Sequence, residues 1–297
     1  MEHAKLAVFV ALGAIALAFA VYWIASVRRA PPEPLAPSPL ELAVGFVTNF
    51  FDTLGIGSFA PTTSIFKLKR MVPDEKIPGT LNVGHSLPTI AQAFVFIAIV
   101  AVGMKTLAAL IAASVFGAWL GASVVVRLPR RGIQIGMGAA LLVAAALFTL
   151  RNLEIAPGGG EALDLSGGRL AIAVAVNFVL GALMTLGIGL YAPCMILVSL
   201  LGMNPKAAFP IMMGSCAFLM PVGSVRFVGT RRYALPAAVG LTLAGVPAVL
   251  IAAYIVKELP LTAVRWGVVV VVLYTAVAML RSAAAERATA TPGTARP

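Results

Sequence analysis

The chain has 297 residues, of which 60% are hydrophobic and 11% are charged, whereas a soluble domain carries about 25% charged residues. Apolar runs of about 20 residues recur along the whole chain, and each is long enough to cross a bilayer as a helix. The composition therefore excludes an ordinary soluble protein and predicts an all-α polytopic membrane protein. The net charge of +11 does not indicate a nucleic-acid partner, because the basic residues lie in short loops that orient a membrane protein.

The first apolar run, residues 6–27, is longer than the core of a signal peptide, which spans about 7–15 residues. Two arginines follow it directly, so residues 1–29 predict an extra N-terminal transmembrane anchor helix. Residues 30–40 are rich in proline and predict a linker. The polar, Ala- and Thr-rich residues 282–297 predict a disordered cytoplasmic tail.

A short stretch occurs twice in the chain, as TLGIGSFAP at residues 53–61 and as TLGIGLYAP at residues 185–193. The shift that aligns these two motifs also superimposes further pairs, and an unbroken shift over about 30 residues indicates an internal duplication. We therefore predict two transporter repeats, residues 41–150 and 169–281, which an extracytoplasmic loop at residues 151–168 separates. The further pairs are Phe46 with Phe178, Val47 with Val179, Met71 with Met203, Pro73 with Pro205 and Pro78 with Pro210.

The distribution of positive charge predicts how the repeats are oriented. If all four apolar segments of each repeat cross the membrane once, the 22 Lys and Arg residues divide evenly between the two sides. Membrane proteins normally carry an excess of Lys and Arg on the cytoplasmic side, and this arrangement has none. If the two motif segments turn back instead, about twice as many lie inside as outside. Each repeat then holds a broken, re-entrant helix pair plus three transmembrane helices, so the repeats are inverted, as is common in secondary transporters. A kinked helix that crosses once is the alternative.

Each motif contains two glycines that weaken a helix and a proline that suits the first turn of a new one. A half-helix that begins at such a proline directs its free N–H groups toward the bilayer centre, where they favour an anion. Thr62 and Thr63 add hydroxyl donors in the first repeat, and Cys194 takes the matching place in the second. The motif residues are Gly55, Gly57 and Pro61 in the first repeat and Gly187, Gly189 and Pro193 in the second.

Four polar residues in the next apolar segment fall within about 80° of arc on a helix. Such a stripe predicts a face toward a cavity, and hydrogen bonding between helices is the alternative. One member of the stripe, His85, is a candidate proton carrier near neutral pH. The four residues are Asn82, His85, Thr89 and Gln92.

Asp52 is the one acid well inside an apolar segment, and it predicts either proton coupling or a pair with a cation. Arg226 predicts either an anion contact or a side chain that extends to the cytoplasmic face. Asn49, Asn177 and Ser215 complete the candidate substrate-binding residues.

Neither the cysteines nor the acids indicate enzyme catalysis or metal binding. Cys194 and Cys216 have a spacing that fits neither a zinc site nor a disulfide framework. The sequence contains no H-E-x-x-H, G-x-S-x-G or paired-acid motif. We therefore expect a protein that is not an enzyme and needs no metal or cofactor.

A Gly-x-Gly stretch followed by proline in both halves, each followed by an apolar helix with small and polar residues, resembles the TauE/SafE family over roughly residues 41–281. These proteins are bacterial inner-membrane permeases for sulfite, sulfonates and related sulfur anions. The resemblance implies export of a small sulfur anion. Together with the paired Gly-Pro breaks and the inverted charge bias, it leads us to predict a secondary transporter that works by alternating access and is driven by protons. A passive anion channel, or a permease for another small anion with the same fold, is the alternative. The oligomeric state stays open.

Overall fold

The computed structural model describes residues 2–155, 159–187, 189–254 and 261–290. Within these ranges its regular secondary structure is helical, apart from one isolated β-bridge between Ala162 and Met203. Seven of the described helices are long and apolar enough to cross a membrane, which confirms an all-α, multi-pass membrane protein. The helices are α1 (Glu2–Arg29), α2 (Pro39–Thr53), α3 (Phe59–Leu68), α4 (Ile77–Ile99), α5 (Met104–Val125), α6 (Arg130–Asn152), α7 (Gly167–Met184), α8 (Tyr191–Leu200), α9 (Ala208–Gly229), α10 (Leu235–Tyr254) and α11 (Leu261–Ala290).

Both motifs interrupt a helix, as the sequence predicts. The chain leaves α2 after Thr53 and enters α3 at Phe59. In this break, Gly55 and Gly57 have φ angles of 84° and 89°, a left-handed conformation that only glycine adopts without strain. Gly187 has a φ of 108° at the corresponding place in the second motif.

The helix starts correct the register of the duplication. The start of α8 at Tyr191 matches the start of α3 at Phe59 under the shift that aligns the two motifs. The start of α9 at Ala208, however, comes one residue too early to match the start of α4 at Ile77 under the same shift. The connection before α9 is one residue shorter than the connection before α4. From that point on, each helix of the second repeat starts one residue earlier than the motif alignment predicts, and this also holds for α10 relative to α5 and for α11 relative to α6. The predicted pairing of Pro78 with Pro210 is therefore wrong by one residue.

Packing follows the same correspondence between the repeats. Helix α2 packs on α10, and its counterpart α7 packs on α5; α4 packs on α9, and α6 packs on α11. Glycines allow the backbones of the two outer pairs to approach closely, as is common between membrane helices. Gly45 of α2 lies against the backbone of Gly240, and Gly181 of α7 lies against the backbone of Ser114.

Helix α1 lies across α9 and α4. It buries Leu12, Phe19 and Trp23, and the Trp23 indole donates a hydrogen bond of 3.1 Å to the hydroxyl of Tyr233. The predicted anchor segment is thus a helix that packs against the helices of both repeats.

Helix α11 continues past the predicted start of the tail at residue 282 and ends at Ala290. Ala, Glu and Arg residues fill this stretch and are strong helix formers, which accounts for the difference from the expected disorder. Residues 291–297 lie outside the described residues.

Candidate functional site

A small cavity lies where the two helix breaks meet. Its volume is about 20 Å³, on the order of the space that one water needs. Residues from both motifs and from α2, α4, α7 and α9 line it. They are Asp52, Gly57, Ser58, Phe59, Thr89, Met184, Gly189, Leu190, Tyr191, Cys216 and Met220.

Equivalent positions of the two repeats supply almost the whole lining. When the motifs are aligned on each other and the following helices are aligned by their starts, ten of these eleven residues form five pairs. The cavity is therefore built by the same part of each repeat, although the paired side chains differ in chemistry. The pairs are Asp52 with Met184, Gly57 with Gly189, Ser58 with Leu190, Phe59 with Tyr191, and Thr89 with Met220.

The Asp52 carboxylate is buried at the centre of a hydrogen-bond network. Its Oδ2 atom accepts a bond of 2.8 Å from Gln92 Nε2 and lies 3.3 Å from the hydroxyl of Tyr191. It also interacts with the hydroxyl and backbone N–H of Ser58, at the start of α3. Gln92 Nε2 additionally donates to Thr53, and the Tyr191 hydroxyl lies 2.9 Å from Gln92 Oε1. Side chains from both repeats thus converge on one carboxylate, and these donors offset the cost of burying it.

His85 is fully buried beside the cavity and connects α2, α3 and α4. Its Nδ1 lies 2.9 Å from Asn49 Oδ1, and its Nε2 lies 3.2 Å from the hydroxyl of Thr62. Because an amide oxygen only accepts, Nδ1 carries the hydrogen and Nε2 of the neutral ring accepts from Thr62. The ring also packs near Phe59, which itself lines the cavity.

The predicted polar stripe of α4 faces the protein interior. All four of its members are buried, but they lie at different distances from the cavity. Thr89 lines it, while Gln92 and His85 each contact residues that line it. Asn82 donates to the carbonyl of Pro78, one turn earlier. The stripe therefore serves both the cavity and the packing around it.

The other residues predicted in the first motif and at the start of α8 lie around the cavity without lining it. Thr62 and Thr63 are buried, and Pro61 and Pro193 stand in the first turns of α3 and α8. Cys194 is buried in α8, next to Pro193.

Three predicted residues have other places in the fold. Asn177 donates to the carbonyl of Leu110 and to the hydroxyl of Ser215, where α5, α7 and α9 pack together. Arg226 is exposed one turn before the end of α9. For Asn177 and Ser215 the geometry favours helix packing, and for Arg226 it favours a side chain that extends away from the site.

The sequence analysis misses several of the residues that line the cavity. Tyr191, Met184, Met220 and Cys216 all line the cavity, and none of them is among the predicted site residues. A signal for Tyr191 exists, since it puts a hydroxyl in the second motif where the first has Phe59. The two methionines give no such signal, because methionine is common in any apolar helix.

The comparisons with known proteins support the family that the motifs predict. Residues 2–148 match the family model of the sulfite exporter TauE/SafE family. The match covers the first helix break. It also includes α1, which precedes the residues over which the motifs resemble this family. No curated protein and no solved structure matches the chain. The N-terminal half of this chain therefore matches the TauE/SafE family of membrane transport permeases, which supports the family that the motifs predict.

Proposed function

We propose that the chain is a secondary transporter that binds a small sulfur oxyanion, such as sulfite or an organosulfonate, between the two helix breaks. The observation that carries this proposal is the cavity where the first residues of α3 and α8 meet. The free N–H groups at a helix start favour an anion, and the hydroxyls of Ser58, Thr89 and Tyr191 add donors. None of the described residues that line the cavity is Lys or Arg, so helix ends and hydroxyls balance the charge.

Contacts at the ends of the first broken pair support a re-entrant hairpin. Helix α3 ends where Lys67 Nζ lies 2.6 Å from Asp74 Oδ2, just before α4 begins. Helix α2 begins on the same side, since Gly45 lies against Gly240 in the second turn of α10, and Ala234 N, just before α10, donates to Thr80 at the start of α4. Both ends of the pair thus lie near the starts of α4 and α10.

The second broken pair has its ends on the opposite side. At the start of α7, Arg169 Nη1 lies 3.5 Å from the carbonyl of Leu201, at the end of α8. Leu163, shortly before α7, accepts a bond of 2.7 Å from the N–H of Gly103, which follows α4. One hairpin therefore enters at the start of α4 and the other at its end, which supports two inverted repeats.

The size of the cavity supports transport by alternating access. A cavity of about 20 Å³ holds on the order of one water and is too small for sulfite, which has four heavy atoms. An anion enters only when the hairpins separate, and the Tyr191 contacts with Asp52 and Gln92 join them. In this proposal the contracted site of the structure alternates with wider forms that admit the anion.

Asp52 supplies a mechanism for coupling to protons. As a carboxylate it takes the donors of Ser58 and Tyr191 that the substrate also needs, and two close anions repel each other in a buried site. Protonation of Asp52 removes its charge and frees these donors for the substrate. Anion and proton then bind together and cross together, so the net direction follows the sum of the anion gradient and the proton gradient.

The test is counterflow of labelled sulfite in proteoliposomes that contain the full chain, with Thr89→Val and Thr48→Val as a matched pair. Thr89 lines the cavity, whereas the Thr48 hydroxyl bonds to the Val44 carbonyl away from it. Losing one hydroxyl donor in Thr89→Val weakens the apparent sulfite affinity by about five- to tenfold, while Thr48→Val changes it less than about twofold.

Two outcomes contradict the proposal. Equal effects of the two valine substitutions would move the binding site away from the cavity. Flux that does not saturate with sulfite and shows no counterflow would instead favour the passive channel.

A further inference from the structure

Sulfur-containing side chains form one wall of the cavity. Met184 of α7 and Cys216 and Met220 of α9 line it, and each is at most 3% exposed. Cys216 Sγ lies 3.5 Å from Met184 Sδ, and the Tyr191 hydroxyl lies 2.8 Å from Met213 Sδ. Three sulfur-containing side chains therefore line the site, and a fourth sulfur, that of Met213, contacts the Tyr191 hydroxyl.

The polar lining comes from the first repeat, where Asp52, Ser58 and Thr89 line the cavity. Where the second repeat has a thioether or a thiol, the first has a carboxylate, an imidazole, a hydroxyl or an amide. The cavity thus combines the oxygen-bearing side chains of Asp52 and Thr89 with the sulfur-bearing side chains of Met184, Cys216 and Met220, while Asn82, His85 and Met213 lie behind this lining. The equivalent pairs are Asp52 with Met184, Asn82 with Met213, His85 with Cys216, and Thr89 with Met220.

These two sides suit different atoms of a ligand. Thioethers and thiols are polarisable but are weak hydrogen-bond partners. An oxyanion oxygen pressed against them loses its water without replacement, which costs about 1–3 kcal/mol for a polar group and more for a charged one. A terminal sulfur of a ligand is larger, softer and less dependent on hydrogen bonds, so it loses less. The sulfur wall therefore selects against a ligand that carries oxygen on every side.

We propose that the preferred substrate is an oxyanion that carries a terminal sulfur atom, of which thiosulfate is the simplest. Its oxygens face the starts of α3 and α8 and the hydroxyls of Thr89 and Tyr191. Its terminal sulfur faces Met184, Cys216 and Met220. This inference rests on the proposed transport of a sulfur anion through the same site and narrows the class of substrate.

The experiment measures calorimetric affinities of the purified full chain for thiosulfate, sulfate, sulfite and methanesulfonate. Thiosulfate and sulfate carry the same charge and differ by one sulfur in place of one oxygen, and we expect thiosulfate to bind at least about tenfold more tightly. The double variant Met184→Leu with Met220→Leu keeps the volume and apolar character of the wall but removes two sulfurs. It weakens thiosulfate by about tenfold and leaves methanesulfonate within about twofold.

Met212→Leu is the matched control, since Met212 is a fully buried methionine of α9 that does not line the cavity. It leaves all four affinities unchanged, and the thermal unfolding of each variant verifies its fold. Equal binding of thiosulfate and sulfate overturns the inference, and so does an equal loss of thiosulfate and methanesulfonate, which would make the wall merely apolar. If sulfite binds without a preference for thiosulfate, only this inference fails. If no anion binds to the cavity, the proposed function fails as well.

Discussion

The two repeats share a backbone plan but bring different chemistry to the same cavity. Helices α3 and α8 have the same length, and α4, α5 and α6 start at a constant distance from α9, α10 and α11. At the cavity, however, the first repeat supplies Asp52 and Thr89, and the second supplies Met184 and Met220 at the equivalent positions. A duplicated framework therefore need not carry a duplicated site.

A physical reason favours this division. If both repeats had an acid at this position, two carboxylates would meet in one buried cavity, and like charges at short range shift or suppress each other's ionisation. Here one repeat holds the carboxylate, and the other supplies Tyr191 as a donor to it. The first repeat thus supplies the charged group, and the second supplies a hydrogen-bond donor and apolar side chains around it.

The largest effect is expected when the charge of the first repeat is removed. Asp52→Asn keeps the size of the side chain but cannot take up and release the coupling proton. Proton-driven sulfite transport in proteoliposomes falls by on the order of 100-fold, as is typical when an essential proton carrier is lost. Exchange of sulfite for sulfite without a proton gradient stays measurable.

The matched control for this substitution is Asp164→Asn. Asp164 accepts from the N–H of Thr106 at 3.2 Å, in the loop before α7 and away from the cavity, so its variant keeps proton-driven transport within about twofold. If Asp52→Asn also keeps proton-driven transport, Asp52 does not carry the coupling proton.

The second comparison removes equivalent side chains from each repeat. His85→Ala leaves a cavity and two buried polar partners, Asn49 and Thr62, without their bond, which costs about 3–5 kcal/mol of stability. Cys216→Ala removes one sulfur atom and costs about 1 kcal/mol. Thermal unfolding in detergent therefore shows a much lower melting temperature for His85→Ala. Equal shifts would mean that the polar cluster adds nothing to stability beyond its volume.

A third comparison tests the shared framework and should give equal effects. A Cβ added at Gly45 would stand 2.6 Å from the carbonyl of Gly240, and one at Gly181 would collide with the backbone of Ser114. Gly45→Ala and Gly181→Ala each lower stability by about 1–3 kcal/mol through overpacking. The control Gly13→Ala has open space around the added methyl and stabilises by about 0.5 kcal/mol. Unequal losses in thermal unfolding would show that the two helix pairs do not play the same role.

Much of this architecture could be predicted from the sequence, because glycines and prolines act locally. The breaks at residues 54–58 and after residue 184 follow from backbone preferences of Gly and Pro, and the buried stripe that contains Thr89 follows from helical periodicity. The pairing of the repeats across the cavity could not be predicted in full. The shift that aligns the two motifs pairs Thr89 with Pro221, and only the shorter connection before α9 brings Met220 to that position. The one-residue difference therefore prevents the sequence from pairing Cys216 and Met220 with His85 and Thr89.

The smallest effect concerns Tyr191, the residue that makes the second motif differ from the first. Tyr191→Phe gives this position the side chain of Phe59 and removes the hydroxyl that joins Asp52, Gln92 and the second repeat. A lost hydrogen bond of about 1 kcal/mol shifts the equilibrium toward open states about fivefold. The measurement is the rate at which a membrane-permeant maleimide labels Cys216, which lines the cavity, in a Cys194→Ala background. Tyr233→Phe, which removes a hydroxyl bonded to Trp23 far from the cavity, leaves this rate unchanged. A labelling rate that stays constant in Tyr191→Phe would mean that the cavity is closed by the packing of the hairpins and not by this hydroxyl.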